Sequence, residues 1–334
     1  TFVGVVLFKV FTEERNRRFL KSTFSSYLAP EVIDRMYQTK TLPVLGGERV
    51  KITAFFSDIQ GFSSFSEQMS PEELVRLLNE YLSAMTEILI RRGGTLDKYE
   101  GDAIVAFFGA PAAMSDHALQ ACQVAVAMQH QLARLRKKWR RQTEPKWPVL
   151  VHDLRMRIGI NTGDMVVGNM GSTLRMNYTM MGDHVNLAAR LEAAGKRYGV
   201  YILVSEYTIE AEVMTQDGKK RLVRDLLAVR LIDRIAVVGR TAPVQAYELL
   251  GMKRDVTDRE WALIKAFDQG MAHYFRMEWD LAIECFKVSQ PLEPFQRLGR
   301  TPSEVFMRRC QTYKKDPPVR PGQTWDGVYR AATK

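Results

Sequence analysis

The sequence predicts an α/β fold of the α+β type, built on a ferredoxin-like β-α-β-β-α-β core with helices added at both ends. Residues 50–250 alternate between apolar, strand-like runs and amphipathic helical patterns. Their order is strand, helix, strand, strand, helix, strand, which is the split βαβ order. The chain has 334 residues, of which 46% are hydrophobic and 26% charged. This composition excludes a disordered tail, a collagen or a disulfide miniprotein and favours a large core.

Each element of the core has its own signal in the sequence. Apolar runs that end in polar or glycine residues predict strands, and apolar positions three and four residues apart predict helices. The predicted elements are a strand at 49–58 (RVKITAFFSD), a helix at 71–92, two strands in GTLDKYEGDAIVAFFG about a turn at 100–102, a helix at 115–141, two strands in LRMRIGINTG and DMVVGNMG, and a helix at 183–198.

The N-terminal residues predict a membrane attachment. The first residues, TFVGVVLF, are apolar, and a cluster of Arg and Lys follows closely, as the positive-inside rule describes for a cytoplasmic flank. We therefore expect residues 1–11 to be the end of a truncated transmembrane helix, although a buried helical turn would show the same apolar run. Residues 12–49 predict a helical linker that transmits a signal or tethers a dimer. These features place the full-length protein in the inner membrane, with the central domain cytoplasmic.

The C-terminal part, 252–334, predicts helices without strands. Residues 258–275 and 277–290 read as an antiparallel helical pair, and Ala282 with Phe286 gives the A-x3-F spacing of a tetratricopeptide unit. One such unit cannot bury a solenoid core, so we expect it to pack on the central domain. We also expect the aromatic residues Trp261, Tyr274 and Trp279 to lie in its core.

Cysteine usage and charge narrow the function classes further. The three cysteines are widely spaced without a CxxC pair, which favours a reducing compartment and excludes a thiolate zinc site. The net charge of +10 is compatible with a nucleic acid or an anionic membrane. No zinc finger, helix-turn-helix or RNP-like motif accompanies the basic residues, so we expect no nucleic-acid partner.

Two aspartates mark a candidate metal site. Asp58 ends the first predicted strand, and Asp102 lies in the turn of the following hairpin. In a split βαβ sheet that strand lies beside the hairpin, so the two carboxylates can converge, and they repel one another unless a cation lies between them. Oxygen ligands of this kind suit Mg²⁺ or Mn²⁺. On spacing alone, two unrelated turn-capping aspartates remain an equal alternative.

Four collinear motifs resemble class III nucleotidyl cyclases. They are FFSDIQGFSSFSE (55–67), GGTLDKYEGDAIVAFFGAP (93–111), RIGINTGDMVVGNMGS (157–172) and YTMMGDHVNLAARLE (178–192), in the family's order and spacing over about residues 50–250. By this resemblance, Asp58 and Asp102 with the Ile59 carbonyl hold two Mg²⁺ or Mn²⁺ ions. Asn186 orients the ribose and Arg190 stabilises the phosphoryl transition state; an ion pair of Arg190 with Glu192 is the structural alternative.

The resemblance also implies how the base is read. Lys98 and Thr179 would recognise the adenine edge as donor and acceptor, whereas guanine would call for a carboxylate in place of Lys98. Gly61 and Phe62 of the first motif would contact the substrate. One departure concerns the triphosphate: the late segment reads VVGR, with Val238 where relatives often carry Lys, so that Arg240 would take over the contact.

The resemblance therefore implies an adenylate cyclase that converts ATP to 3′,5′-cyclic AMP and pyrophosphate. In the family the metal aspartates of one chain face the Lys, Thr, Asn and Arg set of another, so a head-to-tail homodimer with two shared sites is expected. An upstream membrane sensor in the full-length chain would control it. Three alternatives stay open: an inactive nucleotide-binding module, a guanylate cyclase, and a dinucleotide-forming cyclase, although the last lacks its GGDEF-like turn here.

Overall fold

The computed structural model describes residues 44–62, 66–144, 146–215, 218–235, 243–294, 300–319 and 325–328. The predicted membrane segment at 1–11 and nearly all of the linker at 12–49 therefore lie outside the described residues. Within the described ranges, no helix is long and apolar enough to cross a membrane.

The described chain contains ten strands, eight α-helices and two short 3₁₀ turns. The strands are β1 (Gly46–Ile59), β2 (Gly94–Glu100), β3 (Ala103–Phe108), β4 (Met156–Gly171), β5 (Met176–Met181), β6 (Ile202–Ser205), β7 (Glu212–Met214), β8 (Lys220–Leu222), β9 (Leu227–Ile235) and β10 (Val244–Met252). The helices are α1 (Pro71–Arg91), α2 (His117–Arg141), α3 (Val149–His152), α4 (Asp183–Tyr198), α5 (Glu206–Ile209), α6 (Asp258–Phe275), α7 (Trp279–Ser289) and α8 (Pro302–Lys315).

The central sheet confirms the predicted fold class. Its strand order is β2-β3-β1-β4-β6-β10-β9, with β5 paired to β4. Apart from the short helix α3, the element order from β1 to β4 is the predicted strand, helix, strand, strand, helix, strand. One detail of the prediction is wrong: the two strands expected in LRMRIGINTG and DMVVGNMG form a single strand, β4. The Gly163–Asp164 step continues because it is paired with Ile52 and Lys51 of β1 in an unbroken antiparallel register.

The two faces of the sheet carry different helices. Helices α1 and α2 cover one face, where their buried side chains join Phe55, Ile104 and Ile158 in the largest core cluster. Helix α4 packs on the other face, and it approaches β4 closely at Gly159, where an added Cβ would lie 2.2 Å from the Ala188 carbonyl oxygen. A glycine is needed there because the helix backbone rests directly on the strand.

The C-terminal helices pack beside α4 on the same face. Phe267 of α6, Phe286 of α7 and Phe306 of α8 are fully buried and form one cluster with residues of α4, β9 and β10. Helix α8 was not predicted as an element. Tyr274 is buried and Trp279 packs against this core, whereas Trp261 is 37% exposed and lies outside it. The tertiary contacts thus join this unit to the sheet.

A buried ion triad ties the C-terminal unit to the sheet. The Arg230 side chain of β9 is fully buried and contacts Glu248 of β10 at 2.6 Å and Glu293 at 2.7 Å. Because a buried charge is costly unless it is paired and hydrogen-bonded, removing one of these partners would be strongly destabilising. The triad therefore fixes the position of the chain that follows α7.

Candidate active site

The structure brings Asp58 and Asp102 together at one end of the sheet. Asp58 and Ile59 are the last two residues of β1, and Asp102 lies between β2 and β3 after Gly101, whose φ of 66° suits a tight turn. The Ile59 backbone N–H donates to Oδ2 of Asp102 at 2.9 Å. Because β1 pairs directly with β3, the hairpin turn and the end of β1 meet at the same edge.

Electrostatics at this edge favour a cation. Burial raises the pKa of Asp102 to about 6, the Ile59 N–H bond opposes this rise, and the negative charge of Asp58 adds to it. Asp102 is only 7% exposed. Two close carboxylates supply the kind of hard oxygen ligands that fit Mg²⁺ or Mn²⁺. Within the described ranges no group of three or more His, Cys, Asp or Glu side chains could hold a metal ion.

Arg157 is a site residue that sequence reasoning missed. Its guanidinium contacts Asp58 at 2.6 Å and Glu192 at 2.8 Å, and its side chain is only 10% exposed. The pair forms because Asp58 and Arg157 are directly opposite in the β1–β4 register. The signal was available in the third motif, which begins with this arginine, but its partners lie 99 and 35 residues away.

The Arg157 bridge also changes the interpretation of Glu192. Sequence reasoning offered Glu192 as a structural partner for Arg190, but in the structure it pairs with Arg157. Burial raises the pKa of Glu192, while the nearby Arg157 charge opposes the rise. Arg157 thus connects the helix α4 to the end of strand β1 within one chain, and it neutralises part of the negative charge on Asp58.

Asn186 and Arg190 project from the exposed side of α4. Both are exposed, and neither side chain makes an ion pair or hydrogen bond with a described residue. The start of the helix is held in place by Asn161, whose side-chain amide donates to the His184 carbonyl at 2.7 Å. The rigid helix therefore presents both polar groups one turn apart, away from the buried side chains that face the sheet.

The predicted base-reading residues lie on neighbouring strands. Strand β2 carries Lys98 and β5 carries Thr179, and the Thr179 hydroxyl donates to Oδ2 of Asp97 at 2.5 Å. The Lys98 ammonium lies 3.9 Å from Glu100, and both side chains are largely exposed. The Thr179–Asp97 hydrogen bond thus joins β5 to β2 within one chain, at the residue next to Lys98. Asp97 was not among the predicted site residues.

Asp97 has an unusual environment for a surface strand. Burial raises its pKa, and the Thr179 hydrogen bond and the Lys98 charge oppose that rise. Its Oδ1 is buried without a hydrogen-bond partner among the described residues. Because the carboxylate accepts the Thr179 proton, the lone pairs of the Thr179 oxygen stay available as acceptors.

The structure describes only some of the remaining residues that were predicted to contact the substrate. Gly61 is exposed and adopts a φ of 74°, with open space where a Cβ would lie. Phe62 is half-buried against the α1–α2 core cluster. Val238 and Arg240 lie outside the described residues, so the predicted contact of Arg240 with the triphosphate stays a prediction.

Comparisons with known proteins show the family to which the chain belongs. The family described as "Adenylate and Guanylate cyclase catalytic domain" matches residues 47–241. "Adenylate cyclase 1" of Rhizobium meliloti is 33% identical over 71% of this chain and 33% of its own length. The adenylate cyclase of Anabaena cylindrica is 33% identical over 70% of this chain and 42% of its own length. The chain thus spans well under half of these relatives.

Solved structures give the same assignment. The crystal structure of the adenylyl cyclase CyaB from P. aeruginosa is 38% identical, with a TM-score of 0.53, and covers 64% of this chain and 100% of that chain. The guanylyl cyclase Cya2 is 33% identical with a TM-score of 0.50, and covers 64% of this chain and 98% of that chain. The chain belongs to the adenylate and guanylate cyclase catalytic domain family.

Proposed function

We propose that the protein is an adenylate cyclase that converts ATP to 3′,5′-cyclic AMP and pyrophosphate. The observation that carries this proposal is the convergence of Asp58 and Asp102, held by the Ile59 N–H bond to Asp102. Adenylate cyclases among the relatives support the substrate. The reaction forms a bond from the ribose O3′ to the α-phosphorus and breaks the bond to the bridging oxygen. Pyrophosphate leaves, and the hydroxyl proton passes to solvent.

The residues of the site divide this chemistry among them. Asp58, Asp102 and the Ile59 carbonyl would hold two Mg²⁺ or Mn²⁺ ions, which lower the pKa of the hydroxyl and neutralise phosphate charge when bound. Asn186 would orient the ribose. Arg190 would hold the phosphoryl oxygens through its planar guanidinium as negative charge develops.

We further propose that the active unit is a homodimer with two shared sites. Within one chain, Asn186 and Arg190 are exposed and bond to no described side chain, whereas Asp58 is already engaged by Arg157. Apolar side chains are exposed nearby on paired strands: Val166 is 40% exposed and Met181, its direct partner in the register, is 58% exposed. A second chain would cover these side chains and bring its Asn186 and Arg190 to the metal carboxylates.

The first test measures the reaction and the assembly together. Incubation of the chain with ATP and Mn²⁺ over a protein concentration series should yield cyclic AMP, with specific activity rising as chains associate, because a dimer completes each site. GTP in parallel should give much less cyclic product. Product chromatography and analytical ultracentrifugation are the measurements. A folded, dimeric sample that cyclises neither nucleotide would contradict the proposal, and a preference for GTP would make the protein a guanylate cyclase.

ATP preference has its own structural basis. The Thr179 hydroxyl donates to Asp97, so its oxygen is oriented to accept a proton from the adenine amino group. Lys98 can donate to the adenine ring nitrogen. A guanine edge would place a donor and a carbonyl against the same two groups, and unpaired polar groups in a site are strongly rejected.

We expect that exchanging both groups reverses part of this selectivity. The combined substitution Lys98→Glu and Thr179→Cys should lower the ratio of ATP to GTP turnover by about 100-fold. Glu100→Gln is the matched control, because it removes the carboxylate beside Lys98 without altering a base-reading group, and its ratio should stay near that of the wild type. Paired kcat/KM values for the two nucleotides measure the effect. An unchanged ratio in the double variant would refute the assignment.

A further inference from the structure

A strongly basic cavity lies where the C-terminal end of α4 meets α8. Its volume is about 300 Å³, and four of its lining residues are arginines: Arg197, Arg300, Arg308 and Arg309. None of the described residues that line it is Asp or Glu. Its α8 wall lies beyond residues 47–241, the region that the family covers.

Among the described residues, an acidic partner neutralises only Arg309 of the four arginines. Arg309 forms the buried floor and contacts Asp233 at 2.6 Å, and the same carboxylate oxygen accepts the Tyr198 hydroxyl at 2.7 Å. Arg197, Arg300 and Arg308 are exposed. Across the described residues, these three side chains make no ion pair and no hydrogen bond.

A bound anion would neutralise the positive charge of the three guanidinium groups that lie around this cavity without an acidic partner among the described residues. The three like charges around one cavity repel one another. The planar fork of arginine matches phosphate oxygens in a bidentate geometry, and such charge-assisted bonds are the strong ones. A cavity of this volume lies at the small end of ligand pockets, which suits a compact, multiply charged molecule better than a long polymer.

We propose that this cavity binds a soluble small molecule that carries two or more linked phosphate groups, the class of pyrophosphate and nucleoside polyphosphates. Arg197, Arg300 and Arg308 hold the phosphate oxygens, and Arg309, fixed by Asp233, forms the floor. The binding itself does not depend on the proposed cyclase activity.

The position of the cavity links its ligand to the helix that bears Asn186 and Arg190. Helix α4 ends at Tyr198 and is followed by the capping residue Gly199, whose φ is 72°. An added Cβ on Gly199 would lie 1.8 Å from the carbonyl oxygen of Arg300, so the chain that carries Arg300 packs directly on the helix end. A ligand held by Arg197 and Arg300 therefore joins the last turn of α4 to the start of α8. The cavity lies at the opposite end of α4 from Asn186.

Calorimetric titration with pyrophosphate in EDTA tests the proposal, because EDTA removes the ions needed at the carboxylate site. Arg300→Ser with Arg308→Ser should weaken binding at least about tenfold, since two charge-assisted contacts are lost. Arg91→Ser with Arg254→Ser is the matched control: it removes the same charge from side chains that are 76% and 80% exposed elsewhere, and binding should stay within about twofold. Equal thermal unfolding midpoints confirm that both variants are folded.

Several outcomes would overturn the proposal. Unchanged affinity in the Arg300 and Arg308 variant, or an equal loss in the control pair, would show that pyrophosphate is attracted by overall charge and not by this cavity. Absence of pyrophosphate binding to the wild type would also contradict it. Sedimentation with phosphatidic acid vesicles separates a lipid phosphate from a soluble one. Vesicle binding that needs Arg300 and Arg308, without binding of free pyrophosphate, would replace the soluble ligand by a lipid headgroup.

Discussion

Asp58→Asn is expected to lower cyclase activity by about 100-fold or more, because it removes a charged ligand from the site where transition-state charge is neutralised. Asp102→Asn should have the same effect. In Asp102→Asn, the amide oxygen can still accept the hydrogen bond from the Ile59 N–H that orients the turn, so a loss of activity in that variant would reflect the missing charge and not a lost fold. Initial rates of cyclic AMP formation at saturating Mn²⁺ measure both variants.

The Arg157 bridge supplies the control for this experiment. Asp58→Asn removes one of the two carboxylates that contact Arg157, and Glu192→Gln removes the other. If the loss of an Arg157 partner caused the fall in cyclase activity, the activities of both variants would fall equally. We expect Glu192→Gln to keep activity within about tenfold of the wild type, because it leaves both metal carboxylates intact. Full activity of Asp58→Asn would refute the metal assignment.

Mixing two inactive variants is expected to restore activity. In a head-to-tail dimer, an Asp58→Ala chain paired with an Asn186→Ala chain has one site with both defects and one site with none. At equal concentrations, half of the dimers are mixed and each has one intact site, so activity should reach about a quarter of the wild-type value. The rate is measured after the chains have been co-incubated long enough to exchange partners.

A second mixture controls for nonspecific rescue. Asp58→Ala and Asp102→Ala both damage the metal half, so every mixed dimer has two defective sites and should stay inactive. Recovery in this mixture would show that the rates do not report shared sites. If the Asp58→Ala and Asn186→Ala mixture stays inactive while mixed dimers are demonstrated by a tag pull-down, each chain must build its own site.

The sequence predicted the central fold well because local pattern and topology agreed there. Helix α4 begins and ends at the predicted residues 183 and 198, since Gly199 supplies a left-handed end and the apolar positions recur at helical spacing. The hairpin about Glu100 to Asp102 was also predictable from its glycine turn. The prediction was wrong at β4, where Gly163 looked like a break but is one position in a long antiparallel pairing with β1.

Site residues could be predicted only where they belong to a sequence motif. The motif positions of Asp58, Asp102, Asn186 and Arg190 could be read directly from the chain. The bridge of Arg157 to Asp58 and Glu192 could not, because it joins side chains 99 and 35 residues apart through a strand register that local patterns do not encode. The hydrogen bond from Thr179 to Asp97 has the same origin in the approach of β5 to β2.

By itself, the sequence determined the fold class, the order of the main core elements from β1 to β4 and the residues that carry the cyclase resemblance, because periodicity and motif spacing are properties of neighbouring positions. Only the tertiary structure decided which charges are neutralised. It paired Arg157 with Asp58, buried Arg230 between Glu248 and Glu293, and left Arg197, Arg300 and Arg308 without an acidic partner among the described residues. Charge pairing depends on distance in space and on burial, and neither is written in the spacing of residues along the chain.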